Sequence, residues 1–236
     1  MDTFEIKPYD INTLARYCVW SNIGRRKSGK STLTRLIAYN SYKKDGFKYF
    51  IVISPTARVN NDYDFLDNTV KFTKFTHTLI LNIMKRQEDL IKADTKGNHD
   101  LVLILDDLAN STEGSGKLIS TLIMRGRHLR IRIIMNYQAL KGLTEFKPII
   151  RDNLDVIAIF KQSNYHNQKI LVEEYLSLGD KEQQKEALEI IQTIPNREEH
   201  KCLVLDLCNI TDDYADFIFE YQADLIPDTF NIPLFK

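Results

Sequence analysis

Nine residues, Gly24-Arg25-Arg26-Lys27-Ser28-Gly29-Lys30-Ser31-Thr32, constrain this chain more than any other stretch. They satisfy the pattern G-x-x-x-x-G-K-[ST] at every defined position, with Gly24, Gly29, Lys30 and Ser31 in the fixed places. The pattern has a physical basis. A loop that turns from a strand into a helix aims successive backbone N–H groups inward at the positive end of the helix, where phosphate oxygens are held. Lys30 is then placed to reach the β- and γ-phosphates, and Ser31 to ligate Mg²⁺. The flanks agree: Tyr17 to Ile23 reads as a buried strand, and Leu33, Leu36 and Ile37 recur at helical spacing in the stretch that runs on to Tyr42. A chance Gly/Ser/Lys turn would not account for strand, loop and helix in that order. The chain is therefore expected to bind a nucleoside triphosphate, ATP in the reading developed below, together with Mg²⁺.

Composition excludes several classes of protein. At 236 residues, 43% hydrophobic and 27% charged, the chain is long enough for a full core and has the make-up of an ordinary globular domain. Lys+Arg and Asp+Glu are both 32, so a nucleic-acid surface would have to be a local patch. Three cysteines (Cys18, Cys202, Cys208), none in a C-x-x-C pair, argue against a disulfide framework or a zinc site. The five histidines are scattered without metal-ligand spacing and read as structural or surface residues. The first residues show no secretory signal, and the longest apolar runs, Leu101 to Leu105 and Val156 to Phe160, are of strand length. No membrane span is expected, and a reducing compartment fits.

Further along, Lys48 to Ile53 reads as a second strand, Lys74 to Asp94 as a helix with one apolar stripe, and Leu101 to Leu105 as a third strand. A turn at Gly114-Ser115-Gly116 leads to a helix over Lys117 to Met124, followed by strands at Ile131 to Tyr137 and Asp155 to Phe160. Two helices, Tyr165 to Leu178 and Lys181 to Ile194, precede a strand at Lys201 to Leu207 and an irregular tail. Strands alternating with helices predict an α/β fold with a mainly parallel central sheet flanked by helices. One domain is expected over 1–236, with a core at about 12–162 and a mostly helical C-terminal elaboration at about 163–236.

The strand Leu101 to Leu105 ends in Asp106-Asp107, about 75 residues after the phosphate loop. A buried strand that delivers acid groups to the sheet edge suits Asp106 to support Mg²⁺ and Asp107 to orient and deprotonate an attacking water. In isolation Asp-Asp is equally a solvated turn. The strand Ile131 to Tyr137 turns polar at its end, so Gln138 or Asn136 is placed to sense a γ-phosphate. Before it lie Arg125, Arg127, Arg130 and Arg132, four arginines in eight residues. Such a cluster suits a nucleic-acid backbone, an arginine finger set against the γ-phosphate, or simply a solvated helix end.

As an ordered set, these motifs resemble the poxvirus-type DNA-packaging ATPases of the FtsK/HerA superfamily. The resemblance covers roughly residues 12 to 162. It rests on Gly24 to Thr32, on Tyr49 to Thr56 with Asn61-Asp62-Tyr63, on Leu103 to Asp107, on Gly126-Arg127-His128-Leu129 running into Ile133 to Gln138, and on Arg151-Asp152-Asn153. It implies a RecA-like P-loop motor that assembles as a pentameric or hexameric ring and moves double-stranded DNA into a preformed capsid in the host cytoplasm. A capsid or portal-vertex protein is the implied docking partner. Carried over by position, Lys30 and Ser31 hold nucleotide and Mg²⁺, Asp106 supports the metal, Asp107 takes the place of the base and Gln138 that of the sensor. Arg127 is the first choice for the finger and Arg125 the second. The loop departs from many relatives in being Arg/Lys-rich, and the second acid is Asp where cellular members have Glu. A repair or segregation translocase of the same superfamily and a P-loop nucleoside or nucleotide kinase are the competing functions.

Overall fold

Short runs of β-branched and aliphatic residues form the strands, and the amphipathic stretches between them form the helices. The computed structural model describes residues 6–59, 61–107, 115–138, 152–161, 164–176, 181–192, 200–209, 211, 213–224, 226–227 and 230–234. In chain order the elements are β1 (Lys7–Pro8), β2 (Val19–Ile23), α1 (Lys30–Lys43), β3 (Tyr49–Ile53), β4 (Lys71–Phe72), α2 (His77–Ala93), β5 (Leu101–Asp106), α3 (Ser115–Gly126) and β6 (Ile131–Tyr137). Then come β7 (Val156–Ile159), α4 (Tyr165–Leu171), α5 (Lys181–Gln192), β8 (Lys201–Asp206) and β9 (Ile218–Gln222). The predicted turn residue Gly114, Arg151, and the ends of the last two predicted helices beyond 176 and 192 lie outside the described residues.

The strands make one sheet in the order β1-β9-β8-β7-β2-β6-β5-β3-β4. Among the described residues pairing is parallel except at β7–β8 and β8–β9, so of these strands β8 alone runs against the rest. Alternation along each strand splits the core in two. Leu101, Leu103 and Leu105 of β5 face a layer containing Ile80, Ile83 and Met84 of α2, Leu118, Ile119 and Leu122 of α3, and Ile190 and Ile191 of α5. Val102 and Ile104 face the other way, against Leu33, Leu36, Ile37 and Ala38 of α1. α1 starts at Gly29, which takes φ +110, and stops where the Lys44 N–H bonds the Asn40 carbonyl, just ahead of Gly46 at φ +73. The Thr76 side chain caps α2 by accepting from the Leu79 N–H.

The C-terminal elaboration carries the two expected helices, α4 and α5, and the expected strand β8; one expectation needs correcting, because β9 occupies what read as an irregular tail and extends the sheet further. β9, Ile-Phe-Glu-Tyr-Gln, does alternate, with Phe219 and Tyr221 half-buried against the core and Glu220 and Gln222 exposed, but the alternation spans only four residues beside Ile218. The N-terminal arm likewise supplies β1, held by parallel pairing of Lys7 and Pro8 with Phe219 and Glu220 and by the Tyr9 N–H on the Glu220 carbonyl. Among the described residues no helix is long and apolar enough to cross a membrane.

Candidate active site

The strand order decides what meets at the carboxyl edge of the sheet. β6 lies between β2 and β5, so the residue ending β6 stands between the loop that follows β2 and the acids that end β5. Register is set by Asn22 opposite Asn136 and Asp106 opposite Asn136. Gly24 to Thr32, Asp106, Asp107 and Gln138 are thereby gathered at one edge.

The loop is built for close backbone approach. A Cβ on Gly24 would lie 2.6 Å from Ser28 Oγ and 2.7 Å from Phe160 Cβ. One on Gly29 would lie 3.0 Å from the Phe160 ring and 3.1 Å from His200 Nδ1. Neither glycine can be replaced without moving backbone or rings. Ser28 is buried, and among the described residues its hydroxyl has no hydrogen-bond partner. Lys27 adopts φ +60, a left-handed conformation that a lysine holds at a cost. Arg25, Arg26 and Lys27 point to solvent, while Ser31 and Thr32 are half-buried in the first turn of α1. Lys30 Nζ curls back to donate to the Gly24 carbonyl at 2.6 Å and the Arg25 carbonyl at 2.7 Å. Burial lowers its pKa below the usual lysine value, and the charges of Asp106 and Asp107 oppose that shift.

Asp106 sits on a shelf of donors. Burial raises its pKa above the ordinary carboxylate value, and hydrogen bonds from Tyr63, Asn136 and Ser54 work against the rise. The Ser54 hydroxyl donates to Oδ2 at 3.2 Å. Asn136 also accepts from Asn22 Nδ2 and Thr34 Oγ1, each at 2.9 Å. Its own Nδ2 reaches the Tyr63 hydroxyl at 3.5 Å. Asn22 Oδ1 in turn accepts from Trp20 Nε1 at 2.6 Å. A buried polar network therefore ties the strand before the loop to the carboxylate after β5. Asn136, 2% exposed and committed on both sides of its amide, is a member of that network rather than a sensor. Gln138, half-buried two residues on, is the group left at the edge. Asp107 takes φ +53, unusual for a non-glycine residue and the kind of backbone strain found at functional sites.

The residues fit a nucleotide with Mg²⁺. Glycines with no room for a Cβ, a buried serine hydroxyl without a partner and a desolvated lysine make a phosphate cradle. Among the described residues no group of three or more His, Cys, Asp or Glu could hold a metal unaided. Ser31 and Asp106 suit an ion that takes its remaining oxygens from phosphates and water.

Comparison with known proteins agrees with this geometry. No protein-family model matches the chain. An uncharacterized protein of Acanthamoeba polyphaga mimivirus is 29% identical over 230 residues, covering 93% of this chain and 78% of that protein. The genome packaging NTPase B204 of Sulfolobus turreted icosahedral virus 2, in complex with AMP, superposes with a TM-score of 0.65 at 15% identity, covering 90% of this chain and 100% of B204. The chain has the fold of a viral genome-packaging NTPase. B204 has also been solved with AMPPCP and with ATP-gammaS. The cytoplasmic domain of the Type VII secretion ATPase EccC from Thermomonospora curvata shares the same architecture, with a TM-score of 0.58 at 14% identity, covering 93% of this chain and 25% of EccC.

Within this P-loop ATPase fold the arginines stand apart from the loop. Arg127 pairs with Asp155, whose other oxygen accepts from the Val19 N–H at 2.7 Å, at the start of β2. The length of β2, about 17 Å at strand rise, separates that contact from the phosphate loop. Arg125 pairs with Glu88 of α2. The structure therefore does not bring Arg125 or Arg127 to the site of their own chain. The rest of the cluster is also spoken for. Arg130 binds the Gly97 and Thr95 carbonyls. Arg132, 1% exposed, binds Ser41, Asp45 and the Arg16 carbonyl and lies over the Phe47 ring.

Sequence reasoning missed Ser54, Tyr63, Asn22, Thr34, Phe160 and His200 as site residues. Asn22 had a readable signal, a polar residue in an otherwise buried strand just before the loop. Ser54 and Tyr63 stand in stretches that carry the resemblance but had no role there, and Thr34, Phe160 and His200 reach the site through tertiary contact.

Proposed function

We propose that this protein is an ATP-hydrolysing motor that moves double-stranded DNA into a preformed viral capsid. The observation that carries the reading is the convergence at one sheet edge of the phosphate loop, Asp106, Asp107 and Gln138, the last directly following β6, the strand between the loop's strand and the one that ends in the acids. A site that only held nucleotide would need neither a second acid nor a polar group on the intervening strand. The likeness to B204 over the whole of that protein supports packaging over the other members of the superfamily.

In this reading the backbone N–H groups of the loop and Lys30 bind the phosphates, and Ser31 and Asp106 hold Mg²⁺. The ion supplies charge neutralisation on the β- and γ-phosphates. Asp107 accepts the proton of the attacking water, and Gln138 holds that water in line. Tyr63, Asn136 and Ser54 keep Asp106 in position. Five or six subunits close a ring around the DNA, and a capsid or portal-vertex protein receives it. Arg127, or Arg125, acts as a finger only on a neighbouring subunit's site, because its own lies across the sheet.

The test is displacement of a third-strand oligonucleotide from a long duplex. Displacement that requires ATP and is lost in Lys30→Ala is the expected result. ATP turnover with no displacement, at protein concentrations where the subunits assemble, contradicts the motor. Phosphorylation of an added nucleoside would point instead to a kinase.

A further inference from the structure

The chain leaves β9 near one end of the sheet, yet Phe230 and Ile232 are buried toward the other, past β8, β7, β2, β6 and β5, where Ile232 lines a cleft with Tyr49 and Phe50 of β3. Several contacts hold them there. The Ile232 N–H donates to the Phe65 carbonyl at 2.9 Å. The Phe230 ring stacks on Phe65, with centroids 4.8 Å apart and planes 21° from parallel, and meets Tyr39 of α1 edge-on at 5.1 Å. The Arg35 guanidinium, also on α1, lies 5.3 Å from the Phe230 ring centre and 6.0 Å from that of Phe65, so a cation closes the stack. The row of rings continues past Phe65. Tyr63, two residues earlier in the same loop and 1% exposed, has its ring 6.3 Å from that of Phe65. Its hydroxyl donates to Asp106 and accepts from Asn136 Nδ2 at 3.5 Å. Phe230, Phe65 and Tyr63 therefore run without a break from the C-terminal tail to the carboxylate assigned to Mg²⁺. A close-packed interior passes a displacement on rather than absorbing it, and hydrogen bonds weaken steeply as their angle opens.

We propose that Phe230 is a positioning residue for the Mg²⁺ site: stacked on Phe65, it holds the Tyr63 hydroxyl on Asp106, so a docked C-terminal tail is a condition for a correctly aimed carboxylate. This rests on the reading of Asp106 as the group that supports the metal and deepens it, because the tail then belongs to the scaffold of the site. Removing the Phe230 ring leaves Phe65 and Tyr63 free to tilt, and a shift of about 1 Å is enough to spoil such a site.

The test is the affinity for ADP, measured by calorimetry with Mg²⁺ and with EDTA, in wild type, Phe230→Ala, Tyr63→Phe and the double variant. The ratio of the two affinities reads the ion alone, and the cycle reads whether Phe230 acts through the Tyr63 hydroxyl. Wild type is expected to bind ADP more tightly with Mg²⁺. Phe230→Ala should cut that enhancement about three-fold or more and Tyr63→Phe by at least as much, within the weight of a hydrogen bond to a charged group, while affinity in EDTA stays within about two-fold. In the double variant the enhancement should equal that of Tyr63→Phe. Three results overturn the proposal: an undiminished enhancement in Phe230→Ala, an equal loss with and without Mg²⁺, or the same loss on removing Phe230 in the Tyr63→Phe background as in wild type. Should Phe230→Ala fail to fold, Phe230→Leu, which keeps apolar volume and loses the stacked ring, is held to the same outcomes. Wild-type affinity indifferent to Mg²⁺ overturns the metal reading and this inference with it, whereas a Mg²⁺ effect untouched by Phe230 removes this inference alone.

Discussion

Gly29 carries two constraints at once: φ +110, and rings of Phe160 and His200 within 3.0–3.1 Å of any added Cβ. Gly29→Ala is therefore expected to cost about 1–3 kcal/mol of stability through backbone strain and displaced rings. It should also weaken nucleotide binding more than ten-fold, because the cradle opens; calorimetry and denaturant titration check the pair. Asp106 gives the opposite sign for stability. Its pKa is raised by burial, so it favours the fold while protonated and loses that contribution as pH rises through its folded-state value. Asp106→Asn should raise the melting temperature of nucleotide-free protein at neutral pH and flatten its dependence on acid pH, while Mg-dependent hydrolysis is abolished. A variant less stable than wild type at neutral pH would show that the donors from Tyr63, Asn136 and Ser54 outweigh the desolvation.

At the scale of elements, Asp155 fastens β7 to the start of β2, and Arg127 fastens the turn after α3 to Asp155. Asp155→Ala leaves the Val19 N–H without its acceptor and should cost about 1–3 kcal/mol. Arg127, 62% exposed in its side chain, contributes no more than about 1 kcal/mol through the pair. A fall in turnover beyond that small loss, restored by mixing Arg127→Ala subunits with Lys30→Ala subunits, would assign the arginine to a neighbour's site; turnover per folded molecule equal to wild type would leave it a clamp. The contrast between these elements explains what could be read in advance. The phosphate loop, Asp106-Asp107 and the interior strands β2, β3, β5, β6 and β7 carry their signal locally, in glycine spacing and in mainly apolar runs. Such runs are what strands buried on both faces require. β1, β4 and β9 are short or half-exposed and exist because a partner strand is present. Tyr63 stood in a stretch that carries the resemblance but had no role assigned there, and His200 reaches the loop only through the finished sheet, so an isolated histidine gave no pattern to recognise.

Across the whole molecule, one edge of the sheet carries nucleotide chemistry, and the other carries a set of arginines tied into the fold, about a strand length away. In the ring we propose, one subunit's far edge would stand against the next subunit's phosphate loop and complete its site. Hydrolysis should then depend on association as well as on DNA. The decisive measurement is steady-state ATP turnover against protein concentration, with and without long duplex DNA at low salt, beside Lys30→Ala. Turnover per subunit that rises steeply with concentration, increases further with duplex DNA and vanishes in Lys30→Ala is the predicted result. Turnover per subunit independent of both concentration and DNA would contradict an assembling DNA motor.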